Sequence, residues 1–133
     1  AYASNISESW EIYLTPFPGP GPSLQVSTDG GAEPMWSPDG GTLYYRSPGD
    51  RQLSRQMYAV SVMGGASGEP ENLELGLPEL LFDGPFFLCS EFGRSYDMTP
   101  DGERFLMVKD QRPELTATQI NVVVNWFSEL SVN

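Results

Sequence analysis

A handful of acidic side chains, one thiol and a pair of closely spaced glycines are the groups in this chain whose types and spacing could do chemistry. Glu91 and Asp97 stand close enough in sequence to form a carboxylate pair for general acid-base work, which requires a defined separation between the two groups. The competing reading, acids solvated in a loop, requires nothing further. Asp39 and Asp101 could ligate a metal ion. Each, however, sits in a Pro-Asp-Gly setting where the aspartate bonds its own backbone, and the turn accounts for both without an ion. Cys89 is the only cysteine, and the chain has no histidine to activate it. The familiar serine and cysteine triads are therefore excluded, and a thiol in the apolar run Pro85-Phe-Phe-Leu-Cys89 reads as buried. Gly19 and Gly21 alternate with Pro18, Pro20 and Pro22, which lack the amide donors of a phosphate cradle. The residues predict no catalytic group, no metal site and no cofactor.

The elements that must position these groups are short strands joined by turns. Ser37-Pro38-Asp39-Gly40 is echoed by Thr99-Pro100-Asp101-Gly102, and apolar residues flank both. Proline presets φ near about −65°, aspartate bonds the backbone, and glycine takes the positive φ that closes the corner. Strands are predicted over residues 1–5, 10–17, 24–28, 34–37, 43–47, 57–63, 79–82, 96–99, 105–109 and 119–127. In residues 57–63, Met57, Ala59 and Ser61 alternate with Tyr58, Val60 and Val62. The run Val122-Val-Val124 suggests a strand covered on both faces. Pro16 to Pro22 reads as a surface connection, 64–78 as a long connection, and 128–133 as a final helical turn. Trp10 and Trp126 read as core or interblade packing in preference to a binding surface.

Twelve prolines and fourteen glycines, dispersed between apolar runs in 133 residues, fit one all-β domain spanning 1–133. Eighteen acidic against seven basic residues give a formal charge of −11, which repels phosphate backbones and anionic headgroups. Nucleic acid is not an expected partner, whereas a cationic one is compatible. No run approaches the roughly 20 apolar residues of a membrane span, so no membrane association is expected. The start at Ala1-Tyr2-Ala3, without a methionine, points to processing or to excision from something longer. The residues do not indicate a compartment.

Trp10-Glu-Ile-Tyr13, Glu33-Pro-Met-Trp-Ser-Pro-Asp-Gly40 and Leu43-Tyr-Tyr-Arg46, in that order, resemble the WD40-like repeat of TolB-type β-propellers. Pro16-Phe-Pro-Gly-Pro20, Gly93 to Gly102 with Arg104-Phe-Leu-Met-Val108, and Val124-Asn-Trp-Phe-Ser-Glu-Leu130 are similar to the C-terminal propeller of bacterial members, including some fused to serine/threonine kinases. The likeness covers nearly the whole chain. It implies a partial β-propeller of about three antiparallel blades, at approximately 1–28, 33–82 and 95–127. Their strand counts would be three, four and three. The separation of Asp39 from Asp101 exceeds the roughly 40–45 residues of an ordinary blade, and the loops at 48–56 and 64–78 account for the surplus. Propellers close with about four to eight blades, so three imply completion by self-association as a homodimer or higher oligomer. The alternative is a truncated, open stack of sheets. The resemblance also places Glu33, Met35, Tyr96 and Met98 near the axis as candidates for ligand or peptide contact, joined by Arg46 and Arg94, with internal packing and ion pairing as the competing reading. Two functions are implied. One is a non-catalytic module for protein-protein interaction or assembly, and the other a propeller fragment that gates or senses ligand for a linked hydrolase or kinase domain.

Overall fold

The computed structural model describes residues 1–18, 21–47, 55–64, 73–87 and 93–109. Every element in them is a strand, as short apolar runs between turn residues require. Strands β1 (Tyr2–Ser4), β2 (Glu11–Leu14) and β3 (Leu24–Gln25) form one sheet in that order. The middle sheet holds β4 (Ala32–Trp36), β5 (Thr42–Ser47) and β6 (Arg55–Met63), followed by β7 (Glu74–Leu75) and β8 (Glu79–Gly84), which both pair with β6. Strands β9 (Tyr96–Met98) and β10 (Phe105–Met107) make a final hairpin. All pairings are antiparallel. The fold class is all-β, as predicted.

A period of two along β5 and β6 decides how these sheets stack. Leu43 lies opposite Val60 and Tyr45 opposite Tyr58, while Tyr44 lies opposite Ala59 and Arg46 opposite Met57. The first set faces Ile12, Leu14 and Val26 of the first sheet and its flank. On the other face, Met35 and Met57 meet Tyr96, with Tyr44, Phe82, Met98, Phe105 and Met107 packed around them. The middle sheet is thus covered on both sides. Fully burying a residue such as Met57 is worth roughly 1.5–3 kcal/mol, and Tyr44 adds an edge-to-face contact with Phe105 at 5.1 Å. Among the described residues β1 and β10 are not hydrogen-bonded to each other, and the sheets are not closed.

Two expectations change. The stretch 64–78, read as connection, contains β7, whose Glu74 and Leu75 pair with Met63 and Val62. Since β8 pairs with Arg55–Ala59, β7 and β8 are two pieces of one interrupted outer strand, bridged where the Gly76 amide donates to Ser61 O at 2.8 Å. Trp10 is not interior but 59% exposed. It precedes β2, whose inward positions are Ile12 and Leu14, and only its carbonyl is tied down, accepting from the Gly31 amide at 2.7 Å. The strand predicted at 119–127, the turn at 128–133, Trp126, Cys89 and Glu91 lie outside the described residues.

Candidate functional site

The site grows from an irregularity in β4. Ala32 lies opposite Arg46 and Met35 opposite Tyr44, so β4 carries one residue more than β5 over the same interval. Glu33 takes a positive φ of 53° there, and Pro34 follows with no amide to pair. The bulge sets the Glu33 carboxylate between the middle sheet and the last hairpin. Arg46, fully buried, projects from β5 into the same space.

Ser95, just before β9, joins them. Its amide donates to Glu33 Oε2 at 3.1 Å, and its Oγ lies 2.9 and 2.8 Å from Glu33 Oε1 and Oε2. Arg46 Nη1 donates to Ser95 Oγ at 2.8 Å and to Phe87 O, Nη2 donates to Phe86 O at 3.4 Å, and Nη1 stands 3.8 Å from Glu33 Oε2. Tyr96 Oη donates to the Glu33 carbonyl at 2.8 Å. The Phe86–Phe87 segment is in turn fixed to the hairpin by a bridge from Phe86 to Lys109 and a 2.8 Å bond from the Phe87 amide to Val108 O. One ion pair and one serine therefore tie three stretches of backbone together.

Burial depresses the Arg46 pKa from its ordinary value, and the neighbouring Glu33 charge opposes that shift. Burial pushes the Tyr96 hydroxyl well above the usual tyrosine range, with Glu33 adding to the effect. Arg46 Nε is the one buried side-chain polar atom among the described residues that has no hydrogen-bond partner.

The chain matches no family model, no curated protein and no solved structure.

Of the residues singled out from the sequence, Glu33, Arg46 and Tyr96 meet in one buried network, whereas Arg94 is exposed beside it, close enough for its charge to restrain the upward shift at Tyr96. Met35 and Met98 pack in the core against Met57 and Tyr96. Asp97 is exposed and caps the Met98 amide at 2.9 Å. Asp39 and Asp101 are turn residues with one hydrogen-bond pattern. Asp39 Oδ1 accepts from Ser37 Oγ at 2.5 Å and from the Gly41 amide at 3.1 Å. Asp101 Oδ1 accepts from Thr99 Oγ1 and from the Glu103 amide at 3.0 Å. Gly40 and Gly102 close the two corners at φ of 73° and 77°. No group of three or more His, Cys, Asp or Glu placed to hold a metal ion occurs among the described residues.

Sequence reasoning missed Ser95, although it stands at the place in the second repeat that Glu33 holds in the first. It also missed a second buried carboxylate. Glu11 Oε1 accepts from Ser9 Oγ at 2.9 Å and the Gly30 amide at 3.1 Å, and Oε2 accepts from Ser27 Oγ, which itself accepts from the Ile12 amide at 2.8 Å. Nothing in Trp10-Glu-Ile-Tyr13 marks this glutamate as buried, since its buried serine partner, Ser27, lies 16 residues away.

Proposed function

We propose that this chain is part of a TolB-like, WD40-like β-propeller and serves as a non-catalytic module for protein-protein contact and self-assembly. The observation that carries the reading is the outer face of the last hairpin, where, among the described residues, Leu106 is 75% and Val108 57% exposed. In a stack of sheets whose other interfaces each hold an apolar cluster, such a face is where the next layer belongs. The adjacency of the two turns supports a repeating array. A Cβ built on Gly102 lies 3.4 Å from Pro38 Cδ, so corner packs beside corner. Two chains would supply about five or six blades, within the range that closes a ring. The buried network then acts as the joint between neighbouring blades, and Glu33, Arg46 and Tyr96 hold the axial end in shape.

Size-exclusion chromatography with light scattering tests this. A mass of at least two chains at micromolar concentration is expected, reduced to one chain by combining Leu106→Ser with Val108→Ser. A wild-type monomer at that concentration overturns the proposal.

A further inference from the structure

We infer that the outer edge of β8 is a docking edge for an extended, basic segment of another protein, which would add a strand there. This rests on reading the chain as a protein-binding module. Among the described residues β8 is hydrogen-bonded to β6 on one side and to no strand on the other. Sheet edges that are left open are ordinarily blunted by lysine, by proline or by a bulge. Here Pro78 and Pro85 bound the strand without entering it, and residues 73–87 contain no lysine or arginine. The register against β6 shifts between Met57 and Tyr58, leaving Leu81 as the extra residue. Leu80 and Leu81 are consequently both solvent-facing, at 48% and 39% exposed, and Leu77 beside them is 90% exposed. The bulge at Leu81 is the one such interruption of this edge, and the strand around it carries leucine and carboxylate where a blunted edge would carry lysine, which leaves it open to pairing.

Charge selects the occupant. The stretch 73–87 carries Glu74, Glu79 and Asp83 with no basic residue, on a chain of formal charge −11. An edge-to-edge contact with a second copy would set these acids against their own kind, whereas residues 104–109 of the hairpin carry none, and nucleic acid would be repelled. A segment alternating basic and apolar residues suits the rim, because its backbone extends the ladder while its side chains meet leucines and carboxylates.

The test is an anisotropy titration of the full chain with a labelled peptide of alternating lysine and valine. Saturable binding is expected, weakened about tenfold by Leu80→Ser with Leu81→Ser, unchanged by Ile6→Ser at an exposed turn position, and weakened by Glu79→Gln and by salt. Circular dichroism confirms that each variant is folded, and hydrogen exchange reads whether the peptide protects β8 amides. Absent binding, equal binding by the Leu80/Leu81 double variant, or equal binding of a glutamate-valine peptide overturns the inference. It is also overturned if that double variant lowers the mass measured by light scattering, since a second copy would then occupy the edge. Failure here with self-association intact leaves the proposed module standing, and the two outcomes are read on different instruments.

Discussion

Glu33 and Ser95 hold the same place in their respective repeats, 62 residues apart, and hydrogen-bond to one another. In an array of about four to eight units around an axis, equivalent points in neighbours are separated by roughly their own distance from that axis. On the proposed propeller reading, contact between equivalents would place both close to the axis. The repeat thus reaches the level of single bonds: one carboxylate receives both the amide and the hydroxyl of its counterpart.

Breaking that joint should cost more than removing an exposed ion pair. Glu33→Ala leaves the buried Arg46 guanidinium without its counter-charge, so a loss of about 3–5 kcal/mol is expected in urea denaturation. Ser95→Ala removes a hydroxyl shared by Arg46 and Glu33 and should cost about 1–3 kcal/mol. A Glu33→Ala loss below that of Ser95→Ala would show that the guanidinium finds water instead.

Gly31 and Gly41 should respond unequally to alanine. A Cβ at Gly31 would lie 2.5 Å from Ser27 Oγ and 2.7 Å from Ile12 Cγ1, within the Glu11 cluster and the core. Gly31→Ala is expected to destabilise by about 1–3 kcal/mol. At Gly41 the nearest atoms are Asp39 carboxylate oxygens at 3.6 Å, so Gly41→Ala should stay within about 0.5 kcal/mol. Paired thermal melts decide it.

Acid should loosen the two corners together. Hydrogen bonds from Ser37 and the Gly41 amide hold the Asp39 pKa below the usual carboxylate range, and Thr99 with the Glu103 amide does the same for Asp101. A depressed folded pKa contributes stability that is present above the unfolded value, near about 3.9, and lost as pH falls through the folded one. Asp39→Asn with Asp101→Asn should therefore flatten the decline of Tm below about pH 4. An unchanged acid limb would contradict it.

At the alkaline end the sign reverses. Burial raises the pKa of Tyr45 and of Tyr96, so the stability linked to their protonated forms is complete below the unfolded value, about 10, and disappears as pH rises through the higher folded values. Ultraviolet titration should show a late phase that loses amplitude in Tyr45→Phe and again in Tyr96→Phe. Tyr96→Phe also forfeits the bond to Glu33 O, at about 1 kcal/mol.

Sequence-level signals found what depends on neighbours along the chain. The Pro-Asp-Gly corners, the hairpins around them and the alternation at Met57–Val62 are local, and turn chemistry and a period of two made them legible. Likewise, the grouping of Glu33, Arg46 and Tyr96 was approachable through the repeat. Strand β7 escaped because two residues beside Gly76 and Pro78 carry no period, and their pairing is decided by Val62 and Met63, which are distant along the chain. Ser95 escaped because a serine before a strand is unremarkable until its distant carboxylate is known. Trp10 misled because bulk and apolarity favour burial on average, whereas its place outside β2 leaves it wet.

The middle sheet, clad on both faces, has a mechanical consequence. Peeling away the first sheet would wet Leu43, Tyr45 and Val60 at once, and lifting off the hairpin would wet Met35 and Met57 while tearing Arg46 from the Ser95 hydroxyl. No layer can leave cheaply, so the described part of the molecule should melt in a single cooperative step and resist proteases until it does.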